Sequence, residues 1–322
     1  MKVLRGLHEL HLAPKSSVVT IGVFDGVHAG HVKVIRRAVA RGRAAGLKSV
    51  VITFEPHPAK VLRRSSGVPS LISLDHRIRL IEALSPDYLV VLNFTKALAA
   101  LTSEAFAKDI LASHAGAKEA YVGDNFYFGR GAGAGPQELK KLGKRFGFKV
   151  AVVRSVKIDR KKISSSLIRK LITAGRLSEA AKFLARPVSV LGTVVSGANL
   201  ARELGYPTAN LNPHHEVIPP SGVYAVLVRH GKRLFKGVLN IGVRPTFYAP
   251  RDREPAIEVH IFGFRERIYG HDLEVFFLRK IRRERKFRTK EDLIRQIGQD
   301  ERAALTVVRR TGIKEIKRVK IS

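Results

Sequence analysis

The sequence predicts two domains, a doubly wound parallel α/β domain followed by an antiparallel β-barrel with a terminal helix. Up to about residue 186, short Val- and Ile-rich runs alternate with amphipathic helical stretches, which is typical of parallel strands covered by helices on both faces. Beyond Arg186 and Pro187, strand-like runs follow one another with only turns between them, as in a small barrel. We therefore expect domains at 1–186 and 187–322.

The first domain is predicted to be a parallel sheet with helices between its strands. Strands are expected at 17–24, 49–54, 87–94, 120–126 and 149–156, and helices at 29–45, 75–84, 102–115 and 136–146. Two more helices are expected at 165–175 and 178–185. Because ligands of such sheets bind at the carboxyl ends of the strands, we expect a functional site at that edge.

The second domain is predicted to consist of antiparallel strands and one helix. Its strands are expected at 189–197, 222–231, 233–243, 256–264 and 272–281, and its helix at 289–305. Turn sequences such as HGK and PPSG separate the strands.

The composition excludes several classes of protein. The chain has no cysteine, which rules out disulfides, thiolate zinc sites and cysteine nucleophiles and favours the cytoplasm. No apolar run reaches the roughly 18 residues of a membrane span, and no signal peptide is expected at the N-terminus. The formal net charge is +32, but the basic residues are dispersed and few aromatic residues lie among them. We expect a solvated basic surface without a specific nucleic-acid partner.

The stretch GVFDGVHAGH, residues 22–31, lies where a strand is expected to end at Phe24 and a helix to begin. The free N–H groups of a helix start form an anion site, and Gly22 and Gly26 would allow the backbone to approach a phosphate closely. Nucleotide phosphates are one interpretation of this stretch. A metal site and an ordinary capped turn are the alternatives.

His28 and His31 are three residues apart and should project from one side of that helix start. Protonated imidazole groups beside a phosphate stabilise the charge that builds up during nucleotidyl transfer. A third metal ligand at suitable spacing is missing from the stretch, which weakens the metal interpretation.

Two further motifs carry oxygen ligands and a carboxylate. In PTAN, Thr208 and Asn210 would face the same way on an extended segment and offer two oxygens suited to Mg²⁺, although a turn after Pro207 is the alternative. In EVHIF, Glu258 shares a strand face with His260 and could accept a proton from a hydroxyl group. The alternative for Glu258 is a solvent-facing strand residue.

Two other segments resemble phosphate-binding elements. In ISSSLIR, residues 163–169, the serines would cap a helix near an anion, with Arg169 one turn further on. The glycine run at 129–135 lacks the Lys-Ser/Thr of a P-loop, so we interpret it as a loop over the site.

Taken together, these motifs resemble the bacterial bifunctional riboflavin kinase/FMN adenylyltransferase family, a branch of the nucleotidyltransferase superfamily with its HxGH signature. After residues 22–31, the matching stretches follow in the family's order: FEPHP (54–58), VGDNFYFG (122–129), ISSSLIR (163–169), LGYPTANL (204–211), GVYAV (222–226), NIGVRPTF (240–247) and EVHIF (258–262).

The resemblance implies a Rossmann-like FMN adenylyltransferase domain, which forms FAD and pyrophosphate from FMN and ATP. It also implies a riboflavin kinase barrel, which forms FMN and ADP from riboflavin and ATP. Mg²⁺ is the expected cofactor of both reactions, and riboflavin, FMN and ATP are the expected partners. No membrane is expected to take part, and the oligomeric state stays open.

The resemblance also assigns roles to residues. His28 and His31 would contact the ATP phosphates, Glu258 would be the kinase's base, and Thr208 and Asn210 would bind Mg²⁺. The remaining residues implied to bind ATP or flavin are Gly22, Phe24, Asp25, Gly26, Asn125, Lys162, Ser165, Ser166, Arg169, Arg202, Asn240 and Arg244.

Three positions depart from the usual family pattern. Ser166 stands where Thr is usual, Lys162 where Arg is frequent, and Ala201 where Gly is frequent. Ser keeps the hydroxyl and Lys keeps the charge, but Lys loses the bidentate fork of Arg.

Two rival interpretations remain. One is an adenylyltransferase for another phosphate monoester with a degenerate barrel, which the PTAN and EVHIF motifs disfavour. The other is a basic nucleic-acid-binding protein without catalysis, which the intact residues His28, His31, Thr208, Asn210 and Glu258 disfavour.

Overall fold

The computed structural model describes residues 1–62, 69–196, 206–214, 217–243 and 255–311. They divide into two compact units. Among the described residues, the first unit comprises those up to Ser70 and from Leu74 to Ser165, and the second comprises residues 71–73 and those from Ser166 to Thr311. The predicted domain boundary at residue 187 stays a prediction. In the structure, the helices between residues 166 and 184 group with the second unit.

A six-stranded sheet forms the first unit. Its strands are β1 Lys2–Leu4, β2 Ser17–Ile21, β3 Lys48–Glu55, β4 Tyr88–Asn93, β5 Ala117–Gly123 and β6 Lys149–Val153. They lie in the order β1-β4-β3-β2-β5-β6, and every neighbouring pair is parallel. This confirms the predicted doubly wound parallel sheet. The strand order reverses between β2 and β5, where ligands of such sheets bind.

Helices follow most strands of the first unit. They are α1 Ala29–Ala44, α2 Pro58–Leu62, α3 Leu74–Glu82, α4 Lys96–Ala99, α5 Ser103–Ala105, which continues as a π-helix over Phe106–His114, and α6 Pro136–Phe146. α1 illustrates the cause: Val34, Ile35, Ala38 and Val39 recur at helical spacing and are all buried. The four predicted helices are present, whereas α2 and α4 were not predicted.

One short strand and one short hairpin were not predicted from the sequence. β1 has three residues with one buried side chain, too few for a recognisable alternation, and it forms by pairing with Tyr88–Val90 of β4. A small hairpin, β7 Lys157–Ile158 and β8 Lys161–Lys162, consists mainly of exposed residues. The helices α7 Ser165–Thr173 and α8 Leu177–Leu184 follow it, as predicted.

The second unit contains a closed antiparallel barrel. Its strands are β9 Ser189–Val195, β10 Thr208–Asn212, β11 Gly222–His230, β12 Arg233–Val243, β13 Pro255–Ile261 and β14 Asp272–Arg282, in the closed order β10-β13-β12-β11-β14-β9. The predicted barrel is confirmed. β10 closes the barrel, although the sequence predicted it only as an extended segment.

Large apolar side chains fill the middle of the barrel. Tyr224, Leu239 and Val259 lie opposite one another on adjacent strands and are completely buried. The other face of these strands carries Val223 and Val238, which pack against the terminal helix α9, Lys290–Arg310. The hydroxyl of Thr289 caps α9 by accepting the N–H of Asp292 at 3.1 Å. The predicted terminal helix is thus confirmed.

Candidate active sites

A cavity of about 540 Å³ lies at the carboxyl edge of the parallel sheet. Its walls come from the ends of β2, β3, β5 and β6, from the start of α1 and from the segments after β4 and β6. This is the edge where the strand order predicts a ligand site. The predicted binding residues that line it are Gly22, Phe24, His28, His31, Asn125 and Ser165.

The turn between β2 and α1 differs from its prediction. The strand ends at Ile21 and not at Phe24, because Phe24 has a φ of 50°, which no regular strand allows. Val27 and Gly26 also have positive φ values, of 38° and 79°. The turn buries the Phe24 ring, whose centroid lies 5.3 Å from the His31 ring in an edge-on contact.

The two histidines form one stacked pair at the start of α1. His28 is the residue that caps the helix, and its Nδ1 accepts the backbone N–H of His31 at 3.3 Å. The two rings are nearly parallel, with centroids 3.5 Å apart. A Cβ at Gly30 would approach the His28 ring to 3.1 Å, so the glycine makes room for this ring.

That cap also fixes the tautomer of His28. Because Nδ1 accepts a hydrogen bond, a neutral His28 ring carries its proton on Nε2. The ring therefore carries an N–H donor at the N-terminus of α1, a combination suited to a nucleotide phosphate.

A carboxylate stabilises another part of the cavity wall. Asp124, which follows β5, accepts the N–H and hydroxyl of Ser155 at 2.9 and 2.8 Å, and Lys162 lies 3.7 Å away. Burial acts to raise the pKa of Asp124, but the Ser155 hydrogen bonds and the Lys162 charge outweigh it and lower the pKa below its usual range. Lys162 thus interacts with Asp124 beside the cavity, at the position where the sequence predicted a phosphate-binding cation.

The other predicted binding residues surround this cavity or lie further along the chain. The Ser165 hydroxyl donates to the backbone oxygen of Asp25 at 2.9 Å, a contact within the first unit. Asp25 and Gly26 are buried within that turn. Ser166 and Arg169 follow on α7 and are not among the residues that line the cavity.

Aromatic side chains form the apolar half of the cavity, a feature that the sequence did not predict. Phe126 and Phe128 stack with centroids 5.5 Å apart, and Phe54 contacts Phe94 edge-on at 5.6 Å. Tyr127 at the same wall is 64% exposed. The available signal was the run FYF, residues 126–128. The glycine run contributes Gly129, Gly131 and Ala132 to the same wall, as expected of a loop over the site.

The second candidate site is a row of polar side chains across three barrel strands. Asn210 of β10 lies opposite Glu258 of β13, and Glu258 lies opposite Asn240 of β12. Thr208 lies opposite His260, two residues along the same face. Thr208, Asn210, Glu258 and Asn240 therefore share one face, which is the outer face of the barrel because the intervening residues fill its interior.

This row fits a divalent cation. Asn210 is 6% exposed, and its Oδ1 is buried with no hydrogen-bond partner among the residues that the structure describes. The Thr208 hydroxyl and the Glu258 carboxylate lie on the same face. Neutral and charged oxygens of this kind are the donors that Mg²⁺ prefers.

A second cavity of about 370 Å³ adjoins Thr208 at the mouth of the barrel. Its lining combines apolar barrel residues, such as Val259 and Ile261, with Arg265 and Arg267. Two predicted nucleotide-binding residues, Arg202 and Arg244, and the departure at Ala201 lie outside the described residues.

Two family models match the chain, one for each unit. The model described as FAD synthetase matches residues 11–167, and the model described as riboflavin kinase matches residues 184–308. Together they span most of the chain. Within the described part of the chain, no helix combines the length and the apolar character that a bilayer crossing requires.

Curated relatives match over nearly their whole length. The bifunctional riboflavin kinase/FMN adenylyltransferase of Escherichia coli is 35% identical over 94% of this chain and 97% of that protein. The enzyme of the same description from Bacillus subtilis is 35% identical over 95% and 98%. A crystal structure described as a macrolide-efflux protein from Streptococcus pneumoniae is 32% identical, with a TM-score of 0.81 over 94% of this chain and 98% of that chain. The chain belongs to the bifunctional riboflavin kinase/FMN adenylyltransferase family.

Proposed function

We propose that each unit catalyses one of the two reactions in the family's name. The first unit joins FMN and ATP to give FAD and pyrophosphate, and the barrel phosphorylates riboflavin with ATP to give FMN and ADP. The observation that supports this proposal is that one chain contains two separate groups of side chains suited to phosphate chemistry. One is a stacked histidine pair in a partly aromatic cavity, and the other is a row of oxygen ligands beside a strand carboxylate.

In the first unit, we infer that a phosphate oxygen of FMN attacks the α-phosphorus of ATP. The new P–O bond forms as the bond between the α-phosphorus and the bridging oxygen breaks, and pyrophosphate leaves with the electron pair. His28 and His31 donate to the phosphates, and the N-terminus of α1 stabilises the same negative charge. The aromatic half of the cavity offers flat apolar surfaces to a planar ring.

In the barrel, Glu258 accepts the proton of the riboflavin primary hydroxyl as that oxygen attacks the γ-phosphorus of ATP, and ADP leaves. Thr208 and Asn210 would hold Mg²⁺, which supplies positive charge for the phosphates when it is bound. Glu258 lies opposite Asn210 in the strand ladder, so the base and the ligand pair are adjacent. In both sites positioning and charge stabilisation carry the catalysis.

The remaining expectations belong to this proposal. We propose Mg²⁺ as the cofactor of both reactions, the cytoplasm as the location, and riboflavin, FMN and ATP as the partners without a specific nucleic acid. The adenylyltransferase with a degenerate barrel is disfavoured because Asn210, Glu258 and Asn240 align across three strands.

One assay tests the proposal against both rivals. The purified chain is incubated with riboflavin, ATP and Mg²⁺, and the flavins are resolved by chromatography. We expect FMN to appear first and FAD to follow. An adenylyltransferase with a degenerate barrel would leave riboflavin unchanged and act only on a supplied monophosphate, and a noncatalytic protein would form neither product.

A further inference from the structure

Arg77 of α3 is a charged side chain that is almost completely buried, with 1% of its side chain exposed. Its Nη1 donates to the backbone oxygens of Val23 and Phe54 at 3.1 and 2.8 Å and to the hydroxyl of Thr53 at 3.1 Å. Its Nη2 donates to Glu55 Oε2 at 2.8 Å. One guanidinium group therefore holds four groups on two separate segments.

Those segments are the residues just after β2 and the end of β3. The last backbone contact between them joins the N–H of Gly22 to the oxygen of Ile52 at 3.1 Å, after which the chain leaves the sheet. The Val23 oxygen is then held by two side-chain donors, Arg77 and the Thr53 hydroxyl at 3.0 Å.

Val23 directly precedes the strained part of the site. Phe24 follows with a φ of 50°, its ring contacts the His31 ring, and His28 caps α1 four residues later. Val23 and Phe54 both line the cavity, whereas Arg77 does not. Arg77 thus acts on the site through the backbone that it holds.

Burying a charged guanidinium group costs free energy that an apolar side chain in the same place would not, so packing alone does not explain Arg77. A buried guanidinium loses its hydration, and an apolar side chain of similar size is often as stable in a core. Only one of its four acceptors is charged, and that carboxylate belongs to Glu55, whose side chain is 34% exposed. The planar fork can hold two backbone oxygens and a carboxylate at once, which a lysine ammonium at the end of a flexible chain cannot do.

We propose that Arg77 is a positioning residue for adenylyl transfer. It fixes the Val23 carbonyl and with it the turn that orients Phe24, His28 and His31 toward the phosphates. This inference rests on the proposed adenylyltransferase reaction of the first unit.

Arg77→Lys in the full-length chain tests the inference. It keeps the charge and loses the fork, so we expect kcat for FAD formation from FMN to fall about 10- to 100-fold, as for a displacement of about 1 Å at a reacting group. KM for FMN and ATP should change much less, because the cavity walls remain. Riboflavin phosphorylation should be unchanged, since its site lies in the other unit. The exposed Arg79→Lys on the same helix is the matched control and should retain both activities.

A second variant covers the case in which Arg77→Lys does not fold. Thr53→Val is isosteric and removes the other donor to the Val23 oxygen, so it should lower the same kcat in the same direction by a smaller factor. In either folded variant, the imidazole NMR signals of His28 and His31 should shift while those of barrel histidines stay in place.

The outcomes separate the inference from the proposed function. If the parent chain forms FAD and the folded variants keep its kcat and its histidine signals, Arg77 is only structural and the inference is overturned. A lower melting temperature with unchanged kcat would overturn it too. If the parent chain itself forms no FAD, the proposed function fails and the inference fails with it.

Discussion

His28 caps α1, and we propose that it also presents a ring N–H to a phosphate. Its Nδ1 accepts the His31 amide, so His28→Ala removes a cap as well as a ring. His28→Asn keeps a side-chain oxygen that can accept the same amide and removes only the imidazole. The pair of variants distinguishes the stability of the helix start from the chemistry.

We predict that His28→Asn, His28→Ala and His31→Ala each abolish FAD formation while FMN still accumulates from riboflavin. The physical reason is that both rings stack at the start of α1, which belongs to the first unit, whereas the barrel belongs to the second. Chromatography of the flavins with each variant checks this. A folded variant that loses riboflavin phosphorylation would refute the assignment of one reaction to each unit.

Glu258 should be essential for the other reaction. Glu258→Gln keeps the shape of the side chain but removes the base, so we predict that riboflavin phosphorylation falls by about 10²-fold or more. The rate of FAD formation from supplied FMN is the control and should not change. Normal phosphorylation by the Gln variant would mean that Glu258 is only a strand residue.

At the scale of elements, the sequence predicts strands and helices that have a regular pattern of apolar residues. It does not predict elements that form only by pairing with a distant strand. The Val/Ile runs of β2 and β3 predict buried strands because their composition alone requires burial on both faces. β1 depends on its pairing with β4, which no local pattern reveals. The apolar run at 17–24 predicts a strand that continues to Phe24, whereas the positive φ of Phe24 arises from the turn toward α1.

The candidate sites divide in the same way. The shared side of His28 and His31, and that of Thr208 and Asn210, were predictable because the spacing within each motif fixes it. The place of Glu258 beside Asn210 depends on the pairing of two distant strands, so only the family resemblance implied it. Arg77 was not predictable, because its acceptors lie at least 22 residues away in the sequence and meet it only in the fold.

The division between the two units yields a prediction about fragments. We propose that a fragment from Arg186 to Ser322 folds and keeps riboflavin kinase activity, since it contains all six barrel strands and α9. A longer fragment from Ser166, which adds most of α7 and all of α8, is the matched comparison. Circular dichroism and the kinase assay check both fragments. If only the longer fragment folds, the boundary at residue 187 is wrong.

At the scale of the whole molecule, the net charge of +32 raises the question of whether the protein binds nucleic acid. Because the basic residues are dispersed, we predict only nonspecific attraction to nucleic acid. Such binding weakens steeply with salt, since salt cations compete with lysine and arginine side chains for the phosphates. Titration with duplex DNA and with RNA should show binding at low salt that largely vanishes near physiological ionic strength, where the Debye length is about 8 Å. Tight, sequence-dependent binding that persists at moderate salt would contradict this prediction.

The central claim, that one chain carries two independent sites linked by FMN, is tested most directly by mixing two inactivated chains. His28→Asn chains and Glu258→Gln chains are incubated separately and together with riboflavin, ATP and Mg²⁺, and FAD is measured over time. Each variant alone should form little or no FAD. Their mixture should form it readily, because the first variant releases the FMN that the second consumes. A mixture that forms no FAD, although each variant still performs its own step, would contradict the claim.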